Sequence, residues 1–144
     1  MAEAVFDQIN LVVRDMDRTL AFYRRLGVDL PDSAVWSTPS GIHHVSITTN
    51  EPCDFALDSQ PLARHYNQGF AAERGRVVIG FRLPSRAAVD EVYQDLISHE
   101  HQGLQPPYDV FWGARFAIVE DPDGNPVGLM SPSDRVLGGP PPKL

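Results

Sequence analysis

The sequence predicts an α+β fold: two β-α-β-β-β modules with pseudo-two-fold symmetry, forming a curved sheet around a cleft. Three observations lead there. Short segments of β-branched or alternating residues recur along the chain, as strands require. Two longer segments, each preceded by a strand candidate, carry apolar residues at helical spacing. The stretch 8–26, QINLVVRDMDRTLAFYRRL, also lies over 78–96, VIGFRLPSRAAVDEVYQDL, at an offset of 70. Ile9 then falls on Ile79, Leu11 on Phe81, Tyr23 on Tyr93 and Leu26 on Leu96. One helix per module covers only one face of its sheet, which leaves the other faces free to join around a cleft.

The elements follow in order. Segment 5–13, VFDQINLVV, reads as a strand sending Phe6, Gln8, Asn10 and Val12 to one face and Ile9, Leu11 and Val13 to the other. In DMDRTLAFYRRLG, Asp15 or Asp17 caps a helix by accepting bonds from its free N–H groups, and Gly27 suits the residue just past its end. Strands are expected at 33–37 around Trp36, at 41–49 (GIHHVSITT) and at 53–57 (CDFAL). The first module spans 1–58, and 59–75 forms a link of small and polar residues with room for a short helical turn. The second module, 76–132, opens with the strand 76–83. Ser85 caps a helix over 86–101, where Ala88, Val89, Val92, Tyr93, Leu96 and Ile97 form one stripe. Strands at 106–111, 114–120 and 126–131 complete it, and residues 133–144, ending GGPPPKL, are expected to be disordered.

Composition narrows the function. A chain of 144 residues suits one domain or two small halves sharing a core. Twelve Lys+Arg against 19 Asp+Glu give a net charge of −7, which repels phosphate backbones and argues against nucleic-acid binding. The single cysteine, Cys53, excludes an intrachain disulfide and Cys-rich zinc sites, and its neighbour Asp54 disfavours a thiolate. No signal-like N-terminus and no run near the roughly 20 apolar residues of a membrane span are present, so a soluble, cytoplasmic protein without a membrane partner is expected. Gly-rich phosphate loops and a G-x-S-x-G nucleophile elbow are missing. Asp121 and Asp123 sit in D-P-D-G-N, where Asp starts an Asx-turn and Gly accepts positive φ; they read as turn residues rather than paired catalytic carboxylates.

Two motifs carry a family resemblance. QINLVVRDMDRTLAFYRRLG resembles the opening of vicinal-oxygen-chelate domains, the superfamily of glyoxalase I, bleomycin-resistance proteins and extradiol dioxygenases. EDPDGNPVGLMSP resembles its closing turn and last strand, so the likeness spans about 5–132. In the metalloenzymes of that superfamily, strands one, four, five and eight supply His, Glu or Gln ligands. The resemblance places those positions on Gln8, on one of Asp54, Ala56 and Asp58, on Val78 and on Gly128. A first-row metal needs several convergent imidazole or carboxylate donors. Gln8 offers one neutral oxygen, whereas Val78 and Gly128 offer none, so neither a metal nor another cofactor is expected.

The histidines do not replace that set. His43 and His44, adjacent on a strand, face opposite ways and cannot share an ion. His65 lies in the link, and His99 and His101 fall near a helix carbonyl end, where a cation is favoured. His44 shares a face with Ser46 and Thr48 and is the one catalytic candidate. The expected cleft set is Phe6, Gln8, Asn10, His44, Ser46, Val78, Gly80, Gly128 and Met130. Trp36 and, from PPYDVFWGARF, Tyr108, Phe111, Trp112 and Phe116 join it. Aromatic faces with a few amide or imidazole groups suit a planar or amphiphilic ligand, although aromatics also fill cores and dimer interfaces.

Three functions follow from these readings. The leading one is a metal-independent small-molecule-binding protein resembling the bleomycin-resistance branch. It would sequester an aromatic or amphiphilic compound, as a homodimer like many such relatives. The second is a lyase, isomerase or dioxygenase of the same fold, with an atypical metal site or His44 as general base. The third is a regulatory module whose cleft takes a partner peptide.

Overall fold

The computed structural model describes residues 2–26, 28–47, 53–73, 76–120 and 124–144. Its elements run β1 (Val5–Val13), α1 (Met16–Leu26), β2 (Val35–Thr38), β3 (Gly41–Ile47), β4 (Asp54–Ser59), α2 (Gln60–Tyr66), β5 (Val77–Arg82), α3 (Arg86–Ser98), β6 (Gly103–Asp109), β7 (Arg115–Glu120) and β8 (Pro126–Met130). The eight strands form one sheet in the order β2-β3-β4-β1-β5-β8-β7-β6. Each half repeats the other in mirrored strand order, and both first strands are central. The mixed sheet with its few helices is the α+β, curved-sheet architecture that the repeat implies.

The seam between the halves is the antiparallel pair β1–β5, formed within one chain. Ile9 pairs with Ile79, Gln8 with Gly80 and Asn10 with Val78. Under the offset of 70, Gln8 corresponds to Val78 and Asn10 to Gly80, so each residue pairs with its neighbour's counterpart. The pseudo-two-fold axis therefore passes through the Ile9–Ile79 pair. Both outer strands next to the seam run parallel to it, with Asn10 beside Ala56 and Gly80 beside Gly128.

Helix α1 starts at an Asp15 cap: Arg18 N–H donates to Asp15 Oδ1 at 3.0 Å, which selects Asp15 over Asp17. The helix packs on the sheet face that carries Leu11, Val13, Val45, Ile47 and Leu57. Ser85 caps α3 through Ala88 N–H at 3.1 Å, and Ala88, Val89, Leu83, Ala117 and Leu129 form the matching layer of the second half. Helix α3 stops at Ser98, with His99 as its C-cap, three residues short of the expected end at 101.

The link departs from expectation in a way that shapes the molecule. Ser59 Oγ accepts from Leu62 N–H at 3.2 Å and starts a full helix, α2. Leu62, Ala63 and Tyr66 of α2 bury against Val12, Phe116 and Ile118, so α2 covers part of the face opposite α1. Residues 133–144, expected to be disordered, instead follow a defined course. Asp134 N–H donates to Gly113 O at 3.0 Å and Gly139 N–H to Phe111 O at 2.8 Å, while Leu144 packs on the α2 cluster. Backbone pairing with the 111–113 loop explains the order that composition hides. The expected D-P-D-G-N turn and Thr48 lie outside or partly outside the described residues. Among the described residues, no helix is long and apolar enough to cross a membrane.

That loop has one steric requirement. Gly113 has φ +89°, and a Cβ there would clash with the Asp134 carbonyl oxygen. Gly113→Ala is expected to destabilise the protein by about 1–3 kcal/mol, read as a lowered urea midpoint with an unchanged slope.

Candidate functional site

A cavity of about 330 Å³ opens on the sheet face opposite α1 and α3, at the seam. Gln8 and Asn10 of β1 reach it, as do Val78 and Gly80 of β5 and Gly128 and Met130 of β8. Alternation along each strand delivers these side chains to one face. Gly80 and Gly128 lie side by side, and Gln8 lies over Gly80 so closely that a Cβ there would meet Gln8 Cγ at 2.7 Å. At Gly128 a Cβ would only touch Val78 at 3.4 Å and Phe116 at 3.6 Å, so a larger side chain would enter the cavity.

One wall is aromatic. Trp36 and Phe111 have centroids 6.0 Å apart, Phe111 and Trp112 5.0 Å, and Trp112 and Phe116 5.6 Å, in tilted or edge-to-face geometry. The Trp112 indole N–H points to Met130 Sδ at 3.2 Å, which fixes the ring on that wall. Gly113 makes the turn that lets Trp112 fold back toward Phe116.

The opposite corner is polar and centres on Asp58. This carboxylate is 1% exposed, yet it lines the cavity. His44 and Asp58 are direct cross-strand partners on β3 and β4, and His44 Nδ1 lies 2.6 Å from Asp58 Oδ1. Asn10 Nδ2 donates to Asp58 Oδ2 at 3.0 Å, and the Tyr66 hydroxyl donates to the same oxygen at 3.0 Å. Three donors thus satisfy a buried charge that would otherwise be strongly disfavoured. Asn10 Oδ1 is the one buried side-chain polar atom without a partner among the described residues. Burial first, then the Asp58 charge and hydrogen bond, push the Tyr66 phenol well above its ordinary 10.0. Burial alone pushes Tyr108 up to about 12.

Three of the expected cleft residues lie elsewhere. Phe6 is 43% exposed, because a register shift between Phe6 and Gln8 breaks the alternation that grouped them. Its ring packs edge-on against Phe81 at 6.0 Å. Ser46 is exposed beyond the cavity. Tyr108 packs behind the wall, edge-on to Phe116, with its hydroxyl directed at Tyr66 O. Five residues that line the cavity are outside the expected cleft set: Leu62 and Tyr66, hidden in the link, Asp7 and Phe81 on the seam strands, and Asp58, weighed only as a fourth-strand ligand position. Ser59 as a cap before P-L-A-R-H-Y was the available signal for α2. Of the other histidines, His43 is buried and bonded to Thr38, Ser40 and Ser59, a structural role.

The donor set does not fit the metal of the superfamily's metalloenzymes. Asn10 pairs with Ala56 as Gly80 pairs with Gly128, so symmetry puts the fourth-strand position on Ala56. Gln8, Ala56, Val78 and Gly128 then offer a single amide oxygen. Both Asp58 oxygens are already taken by hydrogen bonds, and no cluster of three His, Cys, Asp or Glu that could hold a metal occurs among the described residues.

The profile of the Glyoxalase/Bleomycin resistance protein/Dioxygenase superfamily matches residues 5–129. The chain belongs to this superfamily. Among solved structures, a hypothetical protein from Bacillus halodurans C-125 aligns with TM-score 0.64 and 18% identity, over 92% of this chain and 96% of that one. An NAD-dependent benzaldehyde dehydrogenase structure from Legionella pneumophila aligns with TM-score 0.60 and 18% identity, over 86% and 96% of the two chains. The 2,3-dioxygenase LapB from Pseudomonas sp. KL28 aligns with TM-score 0.60 and 14% identity, over 90% of this chain and 42% of that one. At such identities the likeness establishes the fold alone. No curated protein matches the chain.

The Tyr66 arrangement has a pH consequence. The phenol is held neutral in the fold while an unfolded tyrosine ionises near 10, so the stabilisation is complete below about pH 10 and is lost as pH rises toward the folded value. Urea unfolding across that range should show stability falling with pH, with a shallower fall in Tyr66→Phe. An equally steep fall would place the proton release elsewhere.

Proposed function

We propose that this member of the glyoxalase and bleomycin-resistance superfamily is a metal-independent binding protein that holds an aromatic or amphiphilic organic molecule in the seam cavity. The observation that carries this reading is the wall of Trp36, Phe111, Trp112 and Phe116 facing the cavity. A volume of about 330 Å³ falls in the range of small-molecule sites, which are mostly apolar with a few placed polar groups. Each stacking contact contributes about 0.5–1.5 kcal/mol beyond area burial. The positions that hold metal in metalloenzyme relatives carry almost no donors here, which supports binding over metal-assisted turnover. A homodimer, suggested by the resemblance, belongs to the same proposal and is checked by the solution mass.

The expected result of a thermal-shift and tryptophan-quenching screen of fused-ring aromatics is saturable binding. Trp112→Ala should raise Kd about five- to tenfold. A null screen together with an unaffected Trp112→Ala variant would sink the proposal.

One observation favours a second reading, an enzyme using His44 as general base. Asp58 at 2.6 Å orients the imidazole from behind, and Nε2 has no hydrogen-bond partner among the described residues. Turnover of a bound compound that drops at least a hundredfold in His44→Ala, with binding retained, is the expected signature.

A further inference from the structure

The polar corner selects the chemistry of the ligand that reaches it. His44 Nδ1 is committed to Asp58 Oδ1 at 2.6 Å. A carboxylate only accepts, so Nδ1 carries the proton, and in a neutral imidazole with Nδ1 protonated the other nitrogen, Nε2, is a lone-pair acceptor. The side chain is about one-third exposed (35%), which leaves that nitrogen within reach of a guest. Asp58 has no free donor to offer, since its two oxygens accept from His44, Asn10 and Tyr66. The same bonds consume the Tyr66 hydroxyl proton and turn the Asn10 amide so that its N–H faces Asp58. Asn10 Oδ1 has no partner but is itself buried, so His44 Nε2 is the acceptor this corner presents to a guest.

Charge points the same way. Two carboxylates, Asp7 and Asp58, line the cavity, and no Lys or Arg does among the described residues. Asp7 is paired from outside with Arg82 at 2.9 Å, whereas Asp58 is held by hydrogen bonds from His44, Asn10 and Tyr66, with no Lys or Arg beside it among the described residues. An anionic guest would meet the Asp58 charge in a poorly solvated space with no cation to offset it.

We propose that the ligand is a neutral aromatic molecule bearing an O–H or N–H donor, of the phenol or aryl-amine class, which donates to His44 Nε2 while its rings lie against the Trp112 wall. This specificity rests on the reading of the cavity as an aromatic-binding site. It makes His44 a discriminator of donor from acceptor ligands, whether or not a proton is later transferred.

Three probes of one shape separate the two claims: 2-naphthol, 2-methoxynaphthalene and 2-naphthoate, compared by equilibrium dialysis at neutral pH. The naphthol should bind about tenfold more tightly than its methyl ether, and the naphthoate should bind most weakly. In His44→Phe, which keeps an aromatic ring at that position, the naphthol advantage should vanish while the ether still binds. Equal binding of naphthol and ether, tighter binding of naphthoate, or an undiminished advantage in His44→Phe would overturn the donor assignment and leave the cavity reading standing. Failure of all three probes to bind the wild-type protein would overturn both. The comparison within the wild-type protein needs no variant, so misfolding of His44→Phe would not protect the idea.

Discussion

The seam between β1 and β5 sets the rest of the structure. Its antiparallel backbone bonds join two modules that each expose an uncovered sheet face, and centring the pair on Ile9 and Ile79 fixes how those faces meet. From that register the outer strands follow: Ala56 comes beside Asn10 and Gly128 beside Gly80. A slip of one residue would turn Gln8 and Asn10 away from the cavity and send Ile9 and Leu11 into it. The aromatic wall and the polar corner exist as one site only because this register holds.

Within that frame, Asp58 is a buried carboxylate that three donors satisfy. A carboxylate with 1% exposure is tolerated because β1, β3 and α2 each bring a donor to it. The hub ties the link helix to the first module and holds the His44 ring at a set angle. Its oxygens are spent on this task, so a residue that chain order makes available as a metal ligand serves instead to orient an imidazole. The superfamily scaffold is kept, and the positions that hold metal in its metalloenzymes fall here on Gln8, Ala56, Val78 and Gly128.

Much of the fold is legible in the residues. The offset repeat aligns Ile9 with Ile79, and local signals mark Ser85 and one of two aspartates as caps. Alternation puts Gln8 and Asn10 on one face, and the family resemblance marks that face, with Val78 and Gly128, as the one toward the cleft. Phe6 escapes that logic because a register shift is a property of two strands together, invisible in either one. Tyr108 and Trp112 look equivalent in PPYDVFWGARF, yet one packs behind the wall and the other faces the cavity; the turn at Gly113 decides between them. Helix α2 is short and its apolar face small, so its importance appears only once the opposing cluster around Phe116 is assembled.

By itself the sequence determined the two-module architecture, the strand faces at the seam and the poverty of metal donors, since each depends on local periodicity or on residue identity. The tertiary structure alone decided that Asp58 belongs with His44, Asn10 and Tyr66. Those four residues come from three strands and a helix, and their meeting depends on strand pairing that brings Asn10 to Asp58, 48 positions apart. Hydrogen-bond geometry is fixed by that pairing, and no one-dimensional pattern encodes it.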